Sequence, residues 1–138
     1  STQAISALPL ETCQTMNGMW GYKITDQNYK STKALIHYLV RTAGRNANLL
    51  LNIGPQPNGE LPALAIDRLN GMGKWLSKYG ETIYDSRGGY IPLKVPIKKA
   101  MKFSNQAPIE FKQDKDGTLL KFPQIPDEID YIVELVLK

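Results

Sequence analysis

Between Thr32 and Ala43 the apolar residues Leu35, Ile36, Leu39, Val40 and Ala43 recur at intervals of one, three, one and three, the spacing of a stripe along a helix. Ser31 or Thr32 stands where an N-cap belongs. The helix should close near Gly44, with Arg41 and Arg45 suited to the negative end of its dipole. Lys33, His37 and Arg41 follow at i, i+4 and i+8 on the opposite face, which the pattern leaves to solvent. A second helix is predicted from near Leu61 to about Tyr79, with Pro62 tolerated in its first turn, Ala65, Leu69, Met72 and Leu76 along one stripe, and Gly80 as its stop. Trp75 lies one place from that stripe and reads as core.

Two strands accompany these helices. Glu11 to Met16 alternates its side chains between two faces and ends at the turn formers Asn17-Gly18. Asn48 to Ile53 is apolar without alternation, the pattern of a strand covered on both faces in a parallel sheet. Gly54-Pro55-Gln56-Pro57-Asn58-Gly59 must be a rigid loop leaving that strand, since its prolines lack donors and Asn-Gly favours positive φ. From Ser86 onward helical periodicity disappears and five of the nine prolines appear. Short alternating runs predict a small antiparallel module. Ile109 to Lys112 pairs with Leu119 to Phe122 through Asp116-Gly117, and Ala100 to Phe103 and Ile132 to Leu137 supply further strands. The fold class expected is α/β followed by all-β, with domains at 1–84 and 85–138 and a linker around Arg87-Gly88-Gly89. Two parallel strands cannot cover Leu49, Leu50 and Leu51 on both faces, so the reading requires further polypeptide. The Ser1 start, without Met or an apolar leader, adds the expectation of a processed or cut chain.

Composition narrows the chemistry. The chain has 138 residues, 42% hydrophobic and 22% charged, as for an ordinary globular domain. Its net charge of +4 divides as +2 on each side of Asp85, so no basic pole points to nucleic acid or to an anionic membrane, and neither is expected as a partner. One Cys and one His, Cys13 and His37, cannot make a structural zinc site or an internal disulfide. No cofactor and no metal are expected. No apolar run approaches the ~18 residues needed to cross a bilayer.

Five blocks of sequence are more particular than any pattern. Pro9-Leu10-Glu11-Thr12-Cys13, Trp20-Gly21-Tyr22, Asn48-Leu49-Leu50-Leu51-Asn52-Ile53-Gly54-Pro55, Gly71-Met72-Gly73-Lys74-Trp75-Leu76 and Gly80-Glu81-Thr82-Ile83-Tyr84 occur in this order. In wording and interval they resemble the α-L-fucosidases of glycoside hydrolase family 29, over residues 9 to about 84. The resemblance implies the last βα elements of a (β/α)8-like, TIM-type barrel followed by a short β-sandwich-like domain. It also implies a retaining enzyme that removes terminal α-linked L-fucose from glycoconjugates. Its partners would be a fucosylated oligosaccharide or glycoprotein and the upstream remainder of the barrel. Relatives are lysosomal, periplasmic or secreted, which implies an extracytoplasmic location. The alternative is a non-catalytic relative that binds fucosylated glycans.

The family's nucleophile is an Asp on an earlier barrel strand, and its acid/base precedes the block seen here as Pro9 to Cys13. Neither position exists in these residues, so the fragment alone is expected to be inactive. Trp20 matches an aromatic position that in relatives packs against the apolar side of the sugar, a role an indole suits; a core plug is the competing role. Asn52, polar near the C-terminal end of a buried strand, must find a partner either in the pocket or in the Gly54 to Gly59 loop. Glu11 is a candidate acid/base from its place in the signature, but at a strand's start it points to the wrong end of a barrel, which favours a structural role. Leu10 stands where relatives usually carry Trp. Cys13 has no use in this chemistry, and Asp26, Glu60 and Asp67 are assigned none.

Overall fold

The computed structural model describes residues 8, 10–84, 95–114, 117–122 and 129–138. The chain divides into two compact units, Ser1–Gly89 and Tyr90–Lys138. The predicted linker at 85–90 lies outside the described residues.

In the first unit, strand β1 (Leu10–Thr15) runs parallel to β2 (Ala47–Asn52), with Leu10 beside Ala47 and Thr15 beside Asn52. Helix α1 (Thr32–Ala43) makes the crossover between them, and helix α2 (Ala63–Tyr79) follows β2. This is a βαβα order, the unit from which parallel sheets with helical cover are built. Ser31 caps α1, its Oγ accepting from the Ala34 amide at 3.1 Å, and Gly44 closes the helix. Asn46 then takes φ 59°, a left-handed turn that Asn tolerates, and the chain enters β2. The core of this unit is Met16, Leu35 and Ile36, all fully buried, with Ala65, Met72, Trp75 and Tyr79 from α2.

Two details differ from the periodicity. Helix α2 begins at Ala63, with Pro62 at its N-cap, and its buried face carries Ala65, Met72, Trp75 and Tyr79 while Leu69 stays 37% exposed. The inward stripe is therefore rotated toward Trp75, whose ring lies 5.3 Å from that of Tyr79. The larger indole and phenol claim the contact, and a leucine at the flank is left out. Strand β2 is not covered on both faces by the described residues. Leu49 and Leu51 are half-buried and α1 packs on the strand, but Leu50 is 49% exposed and Asn48 open. The apolar run expected an enclosure that the described residues do not supply, and the residue it leaves exposed is Leu50.

The second unit is antiparallel. Strand β3 (Ile97–Lys102) pairs with β6 (Val133–Leu137), and β4 (Glu110–Asp114) pairs with β5 (Gly117–Lys121) as the predicted hairpin. Alternation holds in the hairpin. Phe111 and Leu120 face each other half-buried, while Glu110 and Lys121 form an exposed ion pair at 3.1 Å. Gln113 ties β4 to the start of β3, its Nε2 donating to Val95 O at 2.7 Å and its Oε1 accepting from Ile97 N at 3.0 Å. Among the described residues of this unit Ile97, Ala100 and Ile109 are buried.

Candidate functional site

The C-terminal ends of β1 and β2 lie side by side, and each gives way to a loop. After β1, the segment from Met16 to Lys30 leaves the sheet and returns to it. Met16 N donates to Asn52 O at 3.3 Å, and Lys30 N donates to Met16 O at 2.8 Å. The Lys30 ammonium reaches back under the loop, donating to Thr15 O at 2.7 Å and Asn17 O at 3.2 Å, which gives carbonyls left over at the strand's end a strong donor. Arg68 on α2 donates through Nε to Lys30 O at 3.0 Å, and its guanidinium also pairs with Asp67.

Inside the loop Asp26 is the organising side chain. Its Oδ2 accepts from Gly18 N at 2.9 Å, and its Oδ1 accepts from Asn28 N at 3.3 Å, two residues on, in the manner of an Asx turn. The carboxylate lies so close to Gly18 that a Cβ there would sit 3.0 Å from Oδ2. Burial above all, then the Asp26 carboxylate and Tyr22, raise the Tyr29 phenol above its usual value of 10.0.

These anchors present Trp20. Its residue is 60% exposed, and on the same loop Met19 is 46% and Ile24 71% exposed. Within the described residues the indole is not enclosed as a core plug would be. Asn52 finds its partner here: Nδ2 donates to Trp20 O at 2.6 Å. Neither sequence alternative for Asn52 named that acceptor, which is the backbone of the neighbouring loop. Two residues further on, Gly54 presses against the same loop. A Cβ on it would lie 2.5 Å from the Gly21 carbonyl carbon and closer still to Tyr22 N. Trp20 and Asn52 are thus brought together. Glu11 is not among them; it is exposed and pairs in register with Asn48, four residues and about 13 Å back along the sheet from Thr15 and Asn52.

The second loop, from Gly54 to Glu60, holds itself. Gln56 N donates to Glu60 O at 2.8 Å, Asn58 Nδ2 donates to Glu60 Oε2 at 2.9 Å, and Gly59 takes φ 85°. Cys13 and His37 are exposed, His37 on the polar face of α1 with Lys33 and Arg41. Among the described residues no three His, Cys, Asp or Glu side chains gather closely enough to hold a metal ion, and no helix is long and apolar enough to cross a membrane. Sequence reasoning missed Asp26, Lys30 and Gly54. The Asp26-x-Asn28 spacing was a readable signal for the first, whereas Lys30 and Gly54 act on backbone atoms that only the fold brings near.

The family profile described as Alpha-L-fucosidase matches residues 1–81. The chain is 38% identical over 79 residues to the plasma alpha-L-fucosidase of Rattus norvegicus, a match covering 55% of this chain and 17% of that protein. It is 38% identical over 78 residues to the alpha-L-fucosidase of Dictyostelium discoideum, with the same coverage. In three dimensions it resembles alpha-L-fucosidase isoenzyme 1 from Paenibacillus thiaminolyticus, with a TM-score of 0.83 and 27% identity, over 95% of this chain and 40% of that one. The Thermotoga maritima alpha-fucosidase shares the fold, with a TM-score of 0.80 at 22% identity over 96% of this chain and 41% of its own. The chain therefore spans about a sixth of the curated relatives it matches and about two fifths of the solved ones.

Proposed function

Because the chain belongs to the alpha-L-fucosidase family, we propose that it forms part of a retaining α-L-fucosidase and supplies one wall of the fucose pocket. The observation that carries this reading is the anchored loop that holds Trp20 in the open at the C-terminal end of two parallel strands. That is the end at which (β/α) barrels bind their substrates. In this reading β1, α1, β2 and α2 are the last elements of such a barrel, and the bare Leu50 face is covered by its other staves. The fucose methyl and neighbouring C–H groups form an apolar patch that an indole face can cover.

Retention needs two carboxyl groups roughly 5–5.5 Å apart, one attacking the anomeric carbon and one protonating the leaving oxygen and then activating water. Nearby carboxylates in this chain are otherwise engaged: Asp26 holds the Trp20 loop and Glu60 bonds Asn58. Glu11 stands at the far end of the strand pair. We assign both reacting carboxyls to polypeptide beyond these 138 residues, and the 138 residues by themselves no hydrolysis. The substrate is terminal α-linked L-fucose on an oligosaccharide or glycoprotein, met outside the cytoplasm.

The test is hydrolysis of an aryl α-L-fucoside by the protein that contains this chain, wild type against Trp20→Ala. The expected result is turnover by the wild type and a KM raised by about tenfold or more in the variant, as for loss of a stacked aromatic contact. No turnover by the wild type would refute the enzyme reading, and an unchanged KM would refute the role of Trp20.

A further inference from the structure

The hydrogen bond from Asn52 reaches Trp20 at its backbone carbonyl, which bears on how the tryptophan is held. Three anchors hold the loop that carries Trp20. Asp26 fixes Gly18 on one side of the tryptophan, with Gly18 N to Oδ2 at 2.9 Å. Lys30 fixes the base through Thr15 O and Asn17 O. The third anchor is the end of β2: Asn52 Nδ2 donates to Trp20 O at 2.6 Å, and Gly54 meets the Gly21–Tyr22 peptide with no room for a Cβ. Bond and contact hold the backbone that leaves the tryptophan, one at its own carbonyl and one at the Gly21–Tyr22 peptide. Both come from a strand end that is fixed in register beside β1. With 60% of its surface open, the tryptophan owes its placement mainly to where its backbone is held.

We propose that Asn52 and Gly54 are positioning residues that set the height of the Trp20 indole against bound fucose. This inference rests on the reading of Trp20 as a wall of the fucose pocket. An indole packed on the sugar's apolar face, away from the reacting bond, would bind ground state and transition state alike, so its displacement would weaken both. KM rises while kcat holds. A residue needed only for folding lowers the melting temperature or the fraction of active enzyme and leaves KM as it was.

The experiment uses the full enzyme with an aryl α-L-fucoside and L-fucose as inhibitor. The variants are Asn52→Asp, which keeps the shape but removes the donor, Gly54→Ala, Trp20→Ala, and each of the first two combined with Trp20→Ala. Asn52→Asp, by losing one hydrogen bond, and Gly54→Ala, by pushing the Gly21–Tyr22 peptide away, should each raise KM and the L-fucose inhibition constant by about tenfold, with kcat within about twofold. In the Trp20→Ala background neither should raise KM further, because residues acting through one group are not additive. If the increments persist in that background, Asn52 and Gly54 act on the sugar or the fold directly and the proposal is overturned. It is also overturned if neither single variant moves KM while Trp20→Ala does. If Trp20→Ala itself leaves KM unchanged, the pocket-wall reading fails and takes the proposal with it. Gly54→Ala stands in should Asn52→Asp not fold, and Asn52→Asp should Gly54→Ala not fold.

Discussion

At the scale of single residues, the site is held by polar groups whose partners are mainly backbone atoms. Tyr29 illustrates the electrostatic side. Its phenol is partly buried near the Asp26 carboxylate, so the neutral form is favoured and the folded pKa exceeds the unfolded value of 10.0. The folded state then holds its proton more tightly than the unfolded one. The resulting contribution to stability is whole below pH 10.0 and is lost as pH rises through the folded value. Tyr29→Phe should flatten that part of the alkaline stability curve, read by thermal melts from pH 9 to 11, and leave the neutral range unchanged. How much of this was readable in advance follows from the kind of partner each residue has. Trp20 was singled out by its match to an aromatic position of the resembled family, since an aromatic ring in a loop that also carries Tyr22 and Tyr29 does not by itself separate a ligand contact from core. Asn52 was legible only as a polar group in need of a partner, since its acceptor is a carbonyl 32 residues away that carries no side-chain signature. Lys30 looked like any surface lysine, although its ammonium closes the loop's base.

At the scale of elements, the helices and strands were legible because caps, breakers and apolar spacing act over a few residues. Ser31, Gly44, Asn46 and Gly80 punctuate the chain close to where turn chemistry places them. What spacing did not carry was which of two overlapping stripes of α2 turns inward, since Leu69 and Trp75 are both apolar and only packing chooses between them. The two glycines at 71 and 73 separate local from tertiary preference in the same helix. A Cβ at Gly71 would fall 2.7 Å from Thr32 Cγ2 and 2.8 Å from Thr32 Oγ1, at the start of α1, whereas one at Gly73 meets nothing within 4 Å. Gly73→Ala should therefore stabilise by up to about 1 kcal/mol through helix propensity. Gly71→Ala should lose that gain and destabilise by about 1–3 kcal/mol, the usual cost of forcing extra atoms into a close contact. Paired denaturant titrations of the two variants check the difference in sign.

At the scale of the whole molecule, the two units each have buried residues of their own, and the candidate site lies wholly in the first. Removing residues 90–138 from the proposed fucosidase should leave the KM for an aryl α-L-fucoside unchanged, a measurement that would expose any hidden part the second unit plays in sugar binding. The uncovered Leu50 face was legible as a need, because an unbroken apolar run asks for cover on both sides, but what meets that need is not found among the described residues. The clamp between β2 and the Trp20 loop also bears on heredity. Loop and clamp are separated by the whole of α1, so a crossover between related genes anywhere in that helix would join a loop from one parent to a strand end from the other. Chimeras should work when both parents offer a glycine at position 54 and an amide at 52. They should bind sugar poorly when either is missing, so homologues are best shuffled with residues 16 to 54 moved as one block.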